Sequence, residues 1–380
     1  MSTKGKIIKC RAAIAWEPKK PLSIEEIEVS PPKEGEVRIK IYYSAICHTD
    51  IFALEGNNVN FPLILGHEGA GIVESIGSNV EGIIEGDYVI PAPLPQCRKC
   101  KICLNPNGNI CEEFTFGNFR SEVMDDKTTR FTCKGKQIYH FIGLSTFSEY
   151  IVVRESAINK KAPLDKVCLI GCGVTTGYGA PINCCVVTKG SIVGVWGMGA
   201  IGLSVVLGCK EQGADKIVGI DFNEERLKNA EKFGITEAIN PNKLPKEENG
   251  IVEYIRKKYN GGFDFTFEAT GNIQAMSDAM ECSKICTGQT CIIGVTNEKV
   301  KFNSIDLIFG RTIRGCVVGG YKTRDAMPML VEKYLKGELP LEKFIDFRLT
   351  LDEINKGIEN LKNSKGVRSI ITIAGDNNNN

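Results

Sequence analysis

Gly197-Met198-Gly199-Ala200-Ile201-Gly202 follows directly on the apolar run 191–196, and a helix-like stretch, 200–211, opens on it. Strand, glycine turn and helix in that order open a doubly wound parallel sheet. Each glycine has its own task. The first makes a tight turn, the second lets backbone approach a pyrophosphate, and the third lets helix and strand pack closely. The helix start, with Ala200 and Ile201, offers unpaired N–H groups to phosphate oxygens. Asp221 ends the next apolar run, at the spacing of about 20 residues that such a turn calls for. Its carboxylate suits both hydroxyls of an adenosine ribose and repels a 2′-phosphate. The pattern therefore predicts NAD rather than NADP.

Outward from this turn, strands are expected at 216–220, 263–268, 290–294 and 312–317, with a charged helix at 224–233. Strand–helix alternation argues for a parallel sheet covered on both faces. Residues 7–90 read differently, as short β segments such as 37–43 and 71–77, and residues 91–135 form an excursion rich in Cys, Pro, Asn and Gly. The C-terminal part predicts helices near 324–336 and 351–363 and a closing strand at 369–373. Two uncharged stretches, 169–188 and 191–209, are long enough to cross a bilayer. Both are interrupted by glycines and neither is Leu-rich, so they read as a buried strand and its helix.

The chain has 380 residues, with 47 Lys+Arg against 46 Asp+Glu, a net charge of +1. That balance excludes a bulk electrostatic binder of nucleic acid or membrane surfaces. The length predicts two domains. Met1-Ser2-Thr3-Lys4-Gly5-Lys6 is polar and basic with no apolar run behind it, which is not a signal peptide. The expected compartment is the cytoplasm, where thiols stay free or bind metal. The tail 376–380 is a polar run without an expected role.

The odd feature of the composition is 16 Cys against 3 His. Cys97, Cys100, Cys103 and Cys111 form C-x2-C-x2-C-x7-C. Four thiolates close a tetrahedral zinc and leave no open position, so this site is expected to be structural. An iron–sulfur cluster takes the same ligands, but one closed tetrahedron needs no more than zinc. A second set is scattered: Cys47 in Cys47-His48-Thr49-Asp50, His67 in Gly66-His67-Glu68-Gly69, and Cys172 in Gly171-Cys172-Gly173. Two thiolates and an imidazole leave a zinc position free for substrate. Singly, each also reads as an ordinary core residue, and spacing alone leaves that choice open.

Together, CHTD at 47–50, GHEGAG at 66–71, the four-cysteine loop, Arg130-Phe131-Thr132-Cys133, STFSEY at 145–150, LIGCGVTTGYG at 169–179 and the glycine fingerprint resemble the zinc-containing medium-chain alcohol dehydrogenases over about residues 6–373. The resemblance implies an α/β fold. A GroES-like, mainly β catalytic domain (1–175 and 320–380, with the zinc loop at about 95–113) would carry an inserted Rossmann NAD-binding domain (176–319). It implies two zincs per subunit, one on Cys47, His67 and Cys172 and one on the four-cysteine loop. Thr49 would bond the substrate oxygen and start a proton relay. Asp50 would fix the His67 tautomer, and Glu68 would stand just behind the metal. His48 and Arg368 would face the coenzyme pyrophosphate, Thr176 the nicotinamide, and Asp221 with Arg226 the adenosine ribose. The usual assembly is a homodimer paired near residues 300–317, acting on a small-molecule alcohol or aldehyde.

The motifs look most like the class III, glutathione-dependent formaldehyde dehydrogenase branch, with departures. The loop Glu55-Gly56-Asn57-Asn58-Val59-Asn60 is short and carries Asn where acids are expected, and Thr115 stands where an Arg would bind a glutathione carboxylate. Phe52 replaces a histidine that often ends the relay, and Pro93 replaces a pocket aromatic. Phe116, Phe141, Ile142, Val295 and Val317 would line an apolar pocket, and His140 matches a structural position. The expected activity is NAD-dependent oxidation of primary alcohols, with secondary ones as a wider class, and reduction of their aldehydes. The alternative is S-(hydroxymethyl)glutathione dehydrogenase. A non-enzymatic protein on a recruited dehydrogenase scaffold is a distant third, since such a protein need not keep the zinc ligands, Thr49, Asp50 and Glu68.

Overall fold

A computed structural model describes residues 3–112, 121–122, 124, 126–154, 158–160, 164–245 and 247–375. In it the glycine turn stands at the end of the strand Ile192–Trp196. Six parallel strands run in the order Glu237–Ile239, Lys216–Ile220, Ile192–Trp196, Phe265–Glu268, Gln289–Ile292 and Thr312–Gly315. Counted along the chain this is the doubly wound order, and it reverses between Ile192–Trp196 and Phe265–Glu268. All four residues of Phe265–Glu268 are buried, as expected of a strand covered on both faces.

The helix expected at 200–211 and the strand at 216–220 stand at those bounds, and other boundaries differ by one to a few residues. The helix foreseen at 224–233 is Glu224–Glu231, and the strand foreseen at 312–317 is Thr312–Gly315. The strand Glu237–Ile239 and the helices Ile251–Lys258 and Ile273–Glu281 were not foreseen. The uncharged stretch 169–188 holds no strand: it turns as a 3-10 helix at Cys168–Gly171, an α-helix at Gly173–Gly179 and a π-helix at Ala180–Cys184. Its glycines serve close packing. A Cβ on Gly177 would stand 2.2 Å from the Ile201 carbonyl oxygen. Among the described residues no helix is long and apolar enough to cross a membrane.

The chain divides into two units, Met1–Cys172 with Lys322–Asn380, and Gly173–Tyr321. In the first unit the long strand Glu36–Ala45 organises the larger sheet. It pairs antiparallel with Glu68–Ile76 along one side. On its other side it takes Tyr150–Arg154 near its start and Arg368–Thr372 near its end. The C-terminal strand thus comes to lie beside Ala45, next to the CHTD turn. A second sheet orders Leu63–Ile64, Ile8–Ala15, Ser23–Val29, Phe131–Cys133 and Lys136–Ile138. Apolar side chains of both sheets, among them Ile14, Ile39 and Phe131, form this unit's core together with Phe147. The second unit has its own, with Trp196, Val218, Ile255 and Phe263.

Candidate metal centre and dinucleotide site

The helix His48–Leu54 is too short to be stable alone and is fixed by its cap. Cys47 is the N-cap, and its N–H donates to Asp50 Oδ2 at 2.9 Å. Asp50 Oδ1 accepts from the Gly66 N–H at 3.0 Å and lies 3.1 Å from His67 Nδ1. One carboxylate therefore ties the turn that carries Cys47 to the segment that carries His67. Gly66 has φ +92°, and a Cβ there would stand 2.6 Å from Phe147 and Thr146. Only glycine fits this approach. The His67 ring meets Phe141 edge-on at 5.8 Å. Cys172 follows the 3-10 turn Cys168–Gly171.

Ligand atoms of Cys47, His67, Glu68 and Cys172 all lie within 4.8 Å of one another. His67 Nε2 is buried without a hydrogen-bond partner, an arrangement that costs free energy unless something ligates it. A hydrogen bond from the Cys172 thiol holds the Cys47 thiol well below the usual thiol range. Burial opposes the charged His67 ring, but Asp50 and Cys47 outweigh it and raise its pKa. Burial pushes the Glu68 carboxyl up to about 8, against the pull of Arg368. Two thiols and an imidazole nitrogen without a partner, gathered within 4.8 Å of one another, form a donor set that a divalent cation would complete. The residues fit zinc.

Arg368 is buried. Its Nη2 donates to Glu68 Oε1 at 3.1 Å and its Nη1 to the Ile46 carbonyl at 3.2 Å, while Nε has no partner. Thr49 is partly buried, with Oγ1 3.7 Å from Cys47 Sγ. His48 is exposed. The pairing of Arg368 with Glu68 has no signal in the sequence, because the two stand 300 residues apart.

The four-cysteine loop forms a second group within the same 4.8 Å limit. Cys100 caps the helix Lys101–Leu104. Its sulfur accepts from the N–H groups of Cys103 at 3.3 Å and Glu112 at 3.5 Å, and these bonds, the Glu112 one foremost, bring its pKa to about 6. Cys97 Sγ accepts from the Cys100 N–H at 3.3 Å. N–H groups aimed at sulfur favour thiolates. The loop is anchored to the start of the helix Thr323–Leu335: Lys322 Nζ donates to the Cys103 carbonyl at 2.7 Å, and Gln96 and Arg98 each donate to Asp325 at 2.6 Å. These anchors were not foreseen either. Glu113, Phe114, Thr115 and Phe116 lie outside the described residues, as does the tail 376–380.

In the second unit Gly197 has φ +90°, and Gly199 caps the helix Ala200–Glu211. A Cβ on Gly202 would stand 1.7 Å from the Gly197 carbonyl oxygen, whereas a Cβ on Gly199 would meet nothing within 4 Å. The open side at Gly199 is the cradle a pyrophosphate needs. Asp221 is held by the turn itself: Oδ2 accepts from the Met198 N–H at 2.7 Å and Oδ1 from the Asn223 N–H at 2.9 Å. Arg226 Nε is buried without a partner, and Thr176 is buried. Of the residues expected to line a pocket, Phe141 and Ile142 are buried, while Val295 and Val317 are exposed.

Residues 33–163 match the alcohol dehydrogenase GroES-like domain, and residues 200–333 match the zinc-binding dehydrogenase domain. The chain is 45% identical over 379 residues to the class-3 alcohol dehydrogenase of Caenorhabditis elegans, covering 97% of this chain and 98% of that one. It is 45% identical over 380 residues to the S-(hydroxymethyl)glutathione dehydrogenase of Komagataella pastoris, covering 98% and 100%. Among solved structures, the benzyl alcohol dehydrogenase of Acinetobacter calcoaceticus superposes with a TM-score of 0.88 at 30% identity, over 97% of this chain and all of that one.

Proposed function

The chain belongs to the zinc-containing medium-chain alcohol dehydrogenases, enzymes with zinc and NAD as cofactors, and from that premise we propose that it interconverts primary alcohols and aldehydes. The observation that carries this reading is the close group of buried Cys47 and His67 with partly buried Cys172, and the partnerless His67 Nε2. Bound there, zinc supplies polarisation of a substrate oxygen, and bound NAD supplies the hydride acceptor.

The protein's part is to position groups and move a proton. Asp50 orients His67 so that Nε2 faces Cys47 and Cys172, and it holds the Cys47 turn in place. The Thr49 hydroxyl, beside the Cys47 sulfur, takes the proton of the substrate hydroxyl and passes it toward solvent. Phe52 gives that relay no histidine to end on. Glu68 and Arg368 form a buried pair behind the ligands. In the second unit, the glycine turn and the N-terminus of Ala200–Glu211 receive the pyrophosphate. Asp221 holds the ribose hydroxyls, with Arg226 beside it. Thr176 takes the nicotinamide side.

We also propose a cytoplasmic homodimer. Sixteen cysteines without a disulfide suit a reducing compartment. The edge strand Thr312–Gly315 and the exposed Ile305, Ile308 and Phe309 supply the apolar edge that a second copy would cover.

A second reading, S-(hydroxymethyl)glutathione dehydrogenase, is favoured by the name of the Komagataella relative. Asn57 and Asn58, where that branch carries acids, weigh against it. NADH formation with octanol, and with formaldehyde with and without glutathione, separates the two. The first reading expects turnover of octanol and no strict need for glutathione. Activity only with formaldehyde and glutathione together would overturn it in favour of the second.

A further inference from the structure

The two metal groups use six cysteines. Three others, far apart in sequence, meet inside the Gly173–Tyr321 unit. Cys184 ends the π-helix Ala180–Cys184, Cys291 lies in the strand Gln289–Ile292, and Cys316 follows the strand Thr312–Gly315. Parallel pairing sets Cys291 opposite Arg314. Cys316, two residues further on, therefore projects from the same face of the sheet. The Cys316 N–H donates to the Ile292 carbonyl at 3.1 Å, which carries the register on to this residue. Cys184 reaches that face from the helical segment. Its carbonyl accepts from Arg314 Nη1 at 2.9 Å, and its sulfur lies 3.0 Å from where a Cβ on Gly320 would stand, in the turn that follows Cys316.

The surroundings differ in a useful way. Cys184 and Cys291 are buried, whereas Cys316 is partly open. Hydrogen bonds from Cys291 and then Cys316 bring the Cys184 thiol down to about 4, while both partners are pushed up. A thiolate with a neutral thiol beside it is the arrangement that thiol oxidation requires. Among the described residues, only the two metal groups bring three or more such ligand atoms within 4.8 Å of one another. The trio is a set of thiol pairs, not a third cage.

We propose that Cys184 and Cys316 form a peroxide-sensitive pair that closes to a disulfide, a modification site separate from both zinc groups. The Cys184 thiolate attacks one oxygen of a hydroperoxide. The S–O bond forms, the O–O bond breaks, and the departing hydroxide takes up a proton as water. The Cys316 sulfur then attacks the Cys184 sulfur. The S–S bond forms, the S–O bond breaks, and the hydroxyl leaves as water with the Cys316 proton. Two thiols are oxidised and one peroxide is reduced. The bond ties the segment after Gly173–Gly179 to the end of the edge strand. It also consumes the thiol that lies 3.9 Å from the Thr176 carbonyl oxygen.

The zinc-loaded enzyme is treated with a few equivalents of hydrogen peroxide, alkylated, digested without reduction and mapped by mass spectrometry, with zinc release followed in parallel. The expected product links the Cys184 and Cys316 peptides, keeps both zincs and reverts with dithiothreitol. Cys316→Ser abolishes it and Cys291→Ala retains it. Should Cys316→Ser not fold, differential alkylation of the unmodified chain reads the same two thiols. Oxidation confined to the Cys97–Cys111 loop with zinc loss overturns the proposal. So does a bond from Cys184 to Cys291 or Cys185, or a third metal equivalent that shields the trio. None of these outcomes depends on the substrate assay.

Discussion

Asp50 holds three partners with two oxygens: the Cys47 N–H, the Gly66 N–H and His67 Nδ1. Asp50→Asn keeps the shape but puts a donor where an acceptor is needed, so His67 Nδ1–H or a backbone N–H loses its partner. The expected result is zinc affinity at the Cys47–His67–Cys172 group weaker by about 10–100-fold. Chelator competition measures it, and an unchanged affinity would mean that the ligands hold their geometry without this carboxylate. His140 poses a different problem. It is fully buried, and its Nε2 accepts from the Arg130 N–H at 3.1 Å. Burial, with the Arg130 charge adding to it, brings its pKa down to about 3. In the unfolded chain an imidazole takes its proton near 6.5. Between those values the unfolded state binds a proton that the native state refuses. Stability is therefore complete above about 6.5 and falls by about 1.4 kcal/mol per pH unit as pH drops toward 3. Urea midpoints between pH 7 and pH 4.5 should show a shallower loss in His140→Phe than in the parent. Parallel slopes would show that His140 does not carry the effect.

At the scale of elements, the glycine turn separates packing from binding within six residues. Gly202→Ala drives a methyl into the Gly197 carbonyl, whereas Gly199→Ala meets no protein atom. The first should lower the melting temperature and the yield of folded protein. The second should leave the melting temperature within about a degree of the parent and weaken NAD binding by about tenfold or more, corresponding to about 1.4 kcal/mol. Calorimetry with NAD and a thermal scan distinguish them, and equal melting losses in both would overturn the assignment of roles. This turn was legible because its information is local: strand, glycines, helix and acid lie within one short segment. The strand Glu237–Ile239 was not, since three residues show no period. The helical course of 169–188 was hidden for another reason. Gly177 and Gly179 lower intrinsic helix propensity, and only the close approach of Ile201 and of the Gly319 carbonyl explains why glycine stands there. Likewise the Arg368–Glu68 pair is made by the last strand pairing beside Ala45, a tertiary event that spacing cannot announce.

Across the whole molecule, the two kinds of chemistry fall to different stretches of chain. Both cysteine-based metal groups lie within Met1–Cys172, and the glycine turn with Asp221 lies within Gly173–Tyr321. Each unit also has its own apolar core. Loss of a metal ligand should therefore leave the glycine turn and Asp221 intact. The metal groups differ from each other as well. Cys47 and His67 are buried in a frame already fixed by Asp50, whereas Cys97 and Cys100 are partly exposed in a loop anchored by hydrogen bonds to Asp325 and from Lys322. A loop of that kind depends on its metal for its shape. Cys47→Ala should thus bind one zinc per chain, bind NAD with the parent's affinity, keep a melting temperature within a few degrees and lose turnover. Cys100→Ala should also bind one zinc, but it should melt well below the parent and fail first by aggregation. Metal analysis, NAD titration and a thermal scan on the same preparations give the full comparison. If Cys47→Ala were the less stable of the two, the buried group, not the exposed loop, would be the one on which the fold depends.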